Sequence, residues 1–320
     1  GADPGGGHMT PEYYANIYRQ YATFMSDWTN SGGLYRIASG ASSGDYRWTE
    51  LLMRDIPHHM LDGVALHHYS VIDWSNKGSA TNFTEQQYFT IMERALRMEE
   101  LIRNHVTVMD KYDPEGKVAL IVDEWGGWYD VEPGTNPGFL YQQNTMRDAM
   151  IAGATLNIFN NHADRVYMAN LAQTINVLQA VILTDEEKML LTPTYHVMKM
   201  YNVHHDALLL PTHVETDDYT LGEERLPTLS ASASRDRAGV VHLSLVNIDA
   251  REPRTVSIDL RGADISRVEA QILRSDRLQD HNTFDEPEKI QPAPFRQFTQ
   301  SGKRLEATLP PFSVVVFAIR

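Results

Sequence analysis

Asp123 and Glu124 stand side by side at the end of an apolar run, in "VALIVDEWGGWYD" (residues 118–130), and Trp125, Trp128 and Tyr129 follow at once. A strand buried on both faces reads as a continuous aliphatic run, and "VALIV" does. Carboxylates belong at its end where that end opens onto water or a ligand. Side chains alternate along a strand, so the two acids are expected to diverge rather than act as a catalytic dyad. Glu124 falls at the C-terminal end, where α/β architectures place their chemistry, and Asp123 is left a supporting role. A structural salt bridge is the competing reading for Glu124. The aromatic residues favour chemistry, because indole and phenol faces stack on sugar rings. A carboxylate beside such rings is what glycoside hydrolysis uses.

A second cluster lies in "LDGVALHHYS" (residues 61–70). There Gly63, Ala65, His67 and Tyr69 share one face, and Val64, Leu66 and His68 the other. Small residues followed by polar ones suit a crowded interior that opens at one end, with His67 and Tyr69 pointing into a site. A buried His–Tyr pair satisfying itself is the alternative. The adjacent pairs His58-His59, His67-His68 and His204-His205 diverge on a strand and are poor chelators, and neither an H-e-x-x-H pattern nor a cysteine is present. No Walker loop, G-x-G-x-x-G or G-x-S-x-G occurs, so nucleotide binding and a serine-elbow nucleophile have no support. No metal or organic cofactor is expected.

These residues need elements to hold them. Thr10-Pro11-Glu12 reads as a helix start, with helix over 10–28. Strands are expected at 34–42, 61–70, 117–125 and 153–161. Helices are expected at 46–56, 84–112 (one long helix), 139–153, 168–182 and 193–204. Strands alternating with helices imply a parallel sheet of β/α units. After about residue 207 the texture changes to alternating strands such as "VVHLSLVNID" and "SVVVFAIR", an antiparallel sandwich. The expected domains are therefore a β/α domain over 10–206, either a small open sheet or the back half of a barrel, and a β-sandwich over 207–320. Residues 1–9, "GADPGGGHM", read either as a cloning scar or as a glycine-rich loop. Four β/α units are too few for a closed barrel, which needs eight.

Bulk composition narrows the partners. With 320 residues, 42% hydrophobic and 22% charged, the chain has ample material for a core. A net charge of −14 argues against nucleic acid. No apolar run is long enough to span a membrane, and no signal peptide pattern opens the chain, so a cytoplasmic location is expected.

At "IVDEWGGWY" and "MTPEYYANIYRQYATFM", and again at "DGVALHHYS", "ANLAQTINVLQAVI", "HNTFDEPEKI" and "LPPFSVVVFAIR", the chain resembles the α-L-arabinofuranosidases of glycoside hydrolase family 51. The resemblance runs from Met9 to the end. It implies the back half of a (β/α)8 TIM barrel followed by a C-terminal jelly-roll-like β-sandwich, which accounts for the strand number. It also implies that Glu124 is the nucleophile of a retaining, exo-acting enzyme. By the same resemblance His67, Tyr69, Trp125, Trp128 and Gln173 surround an arabinofuranose released from oligo- or polysaccharides. The family's acid/base is the glutamate of an Asn-Glu dipeptide, and this chain has none. That carboxyl is expected from a second chain or a preceding segment completing the barrel, whose open sheet edges invite pairing. A homo-oligomer is expected as well. Two other functions fit the residues: a non-catalytic carbohydrate-binding subunit that keeps the fold, and a related β-xylosidase or endoglucanase.

Overall fold

The computed structural model describes residues 2–3, 7–29, 32–262 and 264–320. Residues 1 and 4–6 of the N-terminal scar or loop lie outside the described residues. The chain forms two compact units. One comprises Gly1–Tyr69, Arg97–Trp125 and His162–Asn170, and the other Ser70–Leu96, Gly126–Asn161 and Leu171–Arg320.

Two short strands, β1 (Ala2–Asp3) and β2 (Gly7–His8), pair antiparallel ahead of helix α1 (Pro11–Phe24). Helix α1 starts as its sequence dictates: Thr10 Oγ1 accepts from the Tyr13 amide at 3.2 Å, with proline in the first turn. Strand β3 (Ile37–Ser42), helix α2 (Tyr46–Asp55) and strand β4 (Gly63–Ser70) follow. Next come helices α3 (Glu85–Leu96) and α4 (Met98–Asp110), strand β5 (Ala119–Gly127), helix α5 (Met146–Asn161) and strand β6 (Val166–Leu171). The four strands β3-β4-β5-β6 lie in one sheet in chain order, as consecutive β/α units require. Strands β3 and β4 are parallel, with a register shift between Ala38 and Ala41. Gly40 fills that shift. A Cβ built there would stand 1.5 Å from the Ala65 carbonyl oxygen, so no other residue fits without moving backbone.

The apolar run of β5 is buried as its composition predicts: Ala119, Leu120, Ile121 and Val122 have no solvent exposure. Behind it, Arg165 (side chain 4% exposed) places Nη1 2.8 Å from Asp113, itself 3% exposed, and Nη2 2.9 Å from Asp110. Its Nη1 also donates to the Val118 carbonyl at 2.9 Å, which ties the end of α4 to the sheet.

Three expected elements differ. Residues 153–161 are not a strand but the second half of α5, and the fourth strand is Val166–Leu171. Thirteen of the sixteen residues of α5 are buried, and an apolar run buried all round has no period to separate helix from strand. The expected helix at 168–182 is likewise absent. Beyond β6 the backbone has positive φ at Asn176 (61°) and Leu178 (53°), which a right-handed helix excludes. Finally, the single helix expected over 84–112 is interrupted at Arg97.

In the second unit, β7 (Ile182–Asp185) and β8 (Lys188–Leu191) form a hairpin ahead of helix α6 (Pro193–Tyr201). The antiparallel strands are β9 (Leu208–Leu210), β10 (Asp218–Leu221), β11 (Glu224–Pro227), β12 (Leu229–Arg235), β13 (Val241–Asn247), β14 (Arg254–Asp259), β15 (Val268–Leu273), β16 (Ala293–Pro294), β17 (Phe298–Ser301), β18 (Arg304–Leu309) and β19 (Ser313–Ile319). One sheet runs β16-β15-β19-β13-β12-β9 and another β14-β18-β17. Leu243, Leu245, Leu305, Leu309, Val315 and Phe317 form the core shared by these sheets. The chain is thus the back half of a barrel with a C-terminal β-sandwich. Among the described residues no helix is long and apolar enough to cross a membrane.

Candidate active site

The C-terminal ends of β4 and β5 bring His67, Tyr69, Asp123 and Glu124 together within the first unit. Tyr69 donates its phenolic hydrogen to Glu124 Oε2 at 2.8 Å. His67 Nδ1 lies 3.4 Å from the same oxygen, while its Nε2 lies 3.0 Å from Asp123 Oδ1. The two carboxylates therefore flank one imidazole. The expectation that they diverge overlooked a side chain long enough to reach both. All four groups are half-buried, with Glu124 the most open at 44%.

This arrangement sets protonation. Interaction with Asp123 raises the His67 pKa above its ordinary value; burial opposes this, and the charges of Asp123 and Glu124 reinforce it. Burial, the hydrogen bond to Glu124 and the two carboxylate charges push the Tyr69 phenol far above the usual tyrosine range. Tyr69 is thus a neutral donor at any working pH. Both neighbours engage Oε2, and among the described residues no hydrogen bond occupies Oε1. An oriented carboxylate with one uncommitted oxygen can attack an electrophilic carbon. His68, on the opposite strand face, is buried with Nδ1 3.4 Å from Ser43 Oγ.

The other expected residues divide. Trp125 is 1% exposed, so its indole belongs to the packed interior rather than to a stacking wall. In the second unit, Trp128 meets Trp74 edge to face at 5.6 Å, and Lys77 Nζ sits 5.9 Å from the Trp128 ring centre. Trp74, 63% exposed, had no sequence signal beyond being an aromatic in a loop. Gln173 is exposed and lines an open groove of about 810 Å³ with Phe139, Tyr141, Asn176, Asp185 and Phe284. Tyr129, grouped with the aromatics of the motif, is a core residue. Its hydroxyl donates to Asp148 at 3.0 Å, and the Arg147 guanidinium lies 3.7 Å over its ring. Among the described residues no three His, Cys, Asp or Glu side chains are grouped to hold a metal ion.

Comparison with known proteins identifies the family. A family model described as the α-L-arabinofuranosidase C-terminal domain matches residues 123–313. An intracellular exo-α-L-arabinofuranosidase of Bacteroides ovatus is 44% identical over 317 residues, covering 98% of this chain and 61% of that protein. An intracellular exo-α-(1→5)-L-arabinofuranosidase of Bifidobacterium longum is 26% identical, covering 96% and 59%. Among solved structures, the family 51 arabinofuranosidase of Xanthomonas axonopodis pv. citri superposes with a TM-score of 0.96 at 43% identity, covering 98% of this chain and 64% of that one. The fold and the family model place the chain among glycoside hydrolases. It belongs to the α-L-arabinofuranosidases of family 51 and corresponds to their C-terminal part. It spans about 60% of the length of the curated relatives it matches.

Proposed function

We propose that this chain carries the nucleophile of a retaining, exo-acting α-L-arabinofuranosidase, and that Glu124 is that nucleophile. The observation that carries the reading is the Glu124 carboxylate at the end of β5, engaged on Oε2 by Tyr69 at 2.8 Å and His67 at 3.4 Å. Retaining glycosidases need two carboxyl groups about 5–5.5 Å apart. One attacks C1 while the other protonates the departing oxygen, then deprotonates the water that cleaves the glycosyl ester. Glu124 Oε1 takes the first role. The second falls to a carboxyl in the part of the relatives' length that this chain does not span. Such acid–base assistance contributes roughly 10²–10⁴-fold. His67 and Tyr69, which hold the Glu124 carboxylate, contact the sugar bound to it.

The substrate is a terminal arabinofuranose on an arabinose-containing saccharide, as the names of the Bacteroides and Bifidobacterium relatives indicate for those proteins. Their description as intracellular supports a cytoplasmic location here, and a homo-oligomer is proposed for the assembled enzyme. Replacing Glu124 by Ala in that enzyme tests the reading. Turnover of 4-nitrophenyl α-L-arabinofuranoside is expected to collapse, and azide is expected to restore release as the β-configured glycosyl azide. Normal turnover without azide would sink the assignment.

A further inference from the structure

The two glycines of "DEWGGWYD" have no place in the mechanism above, yet the structure uses both. Gly126 has φ +129°, and a Cβ there would lie 3.1 Å from Gln179 Oε1. A Cβ on Gly127 would lie 2.7 Å from the Tyr129 hydroxyl. The glycines let the chain leaving β5 press against two fully buried amides, Gln142 and Gln179. Gln142 grips this segment with both ends of its side chain. Its Oε1 accepts from the Tyr129 amide at 2.9 Å, and its Nε2 donates to the Gly127 carbonyl at 3.0 Å. Gln179 takes the remaining group of Gly127, accepting from its amide at 2.6 Å. Its Nε2 donates to the Asp148 carbonyl at 2.9 Å and to Thr194 Oγ1 at 3.1 Å, which anchors the grip on the first turns of α5 and α6. Trp128, inside this segment, donates its amide to Ser70 at the end of β4 at 3.1 Å.

We propose that Gln142 and Gln179 are positioning residues for the glycosidase reaction: a pair of buried amides that replaces strand neighbours for Gly127 and Tyr129 and so fixes the end of β5 that carries Glu124. The inference rests on Glu124 being the nucleophile. Irregular backbone in a dry interior must find partners for its amides and carbonyls, and here side chains supply them. A nucleophile three residues upstream inherits that rigidity. Displacement of a reacting atom by about 1 Å costs on the order of 10²-fold in rate.

The test uses Gln142→Glu and the uncharged, near-isosteric Gln142→Met in the assembled enzyme, with rates referred to active sites counted by covalent labelling. Both variants are expected to lose about 10- to 100-fold in kcat, with KM for the aryl arabinofuranoside changed less than about threefold. A neutral carboxyl can donate to the Gly127 carbonyl and accept from the Tyr129 amide, as the native amide does, and burial favours the neutral form. The ratio of Gln142→Glu to wild-type kcat should therefore rise as pH falls from about 8 to about 5, while that of Gln142→Met stays flat. Wild-type kcat per labelled site in both variants, with only a lowered Tm, would overturn the proposal and leave the amides a purely structural role. A rise in KM alone would overturn it too. Glu124→Gln, run in parallel, separates the two readings. Its retained turnover would overturn the nucleophile assignment and this proposal together. Its loss, beside full kcat in both Gln142 variants, would overturn this proposal alone.

Discussion

Tyr69→Phe removes the hydroxyl that donates to Glu124 and keeps the ring. The lost contact is the 2.8 Å bond from the phenol to Glu124 Oε2, and His67 remains 3.4 Å from the same oxygen. A hydrogen bond to a charged group contributes about 1.5–3 kcal/mol where it is shielded. The Glu124 side chain is 44% exposed, so water replaces part of the bond and about 1–2 kcal/mol is the better figure. At about 1.4 kcal/mol per factor of ten, that is a loss of roughly 5- to 30-fold in rate. The phenol is neutral throughout the working pH range because its pKa is pushed upward, so the deficit should not vary with pH. The assay is kcat/KM on 4-nitrophenyl α-L-arabinofuranoside by the assembled enzyme, measured across that range. A variant within about twofold of wild type would refute the idea that Tyr69 holds the carboxylate, since the loss expected of a charge-assisted bond exceeds that. A loss beyond about 10⁴-fold would refute it from the other side, because only a group that itself moves a proton commands so much.

Three further perturbations follow from the geometry. Asp123→Asn removes the chief cause of the raised His67 pKa, so NMR titration should show the imidazole losing its proton at lower pH than in wild type. Because the folded-state value is raised, the stability this pairing gives is fully present below the unfolded pKa of about 6.5 and is lost as pH rises through the folded value; thermal unfolding of Asp123→Asn should converge on wild type on that alkaline side. Arg165→Met strands the buried Asp113 carboxylate and should cost about 3–5 kcal/mol in chemical denaturation, most of it recovered when Asp113→Leu is added. Gly40→Ala drives a Cβ into the Ala65 backbone and should cost about 3 kcal/mol or more, read as a large fall in Tm.

The helix starts were legible because their chemistry is local. Thr10 and Pro11 cap α1 as their types demand, and β5 announced itself by four consecutive buried aliphatics ahead of two acids. The second half of α5 was not legible. Five of the six residues of "ATLNIF" are buried, and so little of the helix meets water that no clear period remains. The stretch after β6 misled for a related reason. It carries apolar residues at helical spacing, while its path turns through positive φ at Asn176 and Leu178, where neither residue is glycine. In the site, parity along β4 correctly paired His67 with Tyr69. On β5, alternation sorts Cβ directions only, and it gave no sign that the His67 ring would span the distance between Asp123 and Glu124. Tyr129 carried the same aromatic signal as Trp128, and its burial and its hydrogen bond to Asp148 show that it is scaffold. Gln142 and Gln179 had no signal at all. A glutamine that serves the backbone looks in sequence like any surface glutamine.

The central claim is that Glu124 forms a covalent bond to the sugar. The most direct measurement is to incubate the assembled enzyme with a 2-deoxy-2-fluoro arabinofuranoside bearing an activated leaving group, record intact mass, and locate the adduct by peptide sequencing. The account predicts one fluoroarabinosyl group per active site, esterified to Glu124. An adduct on any other residue, or turnover with inversion and no adduct, would contradict it.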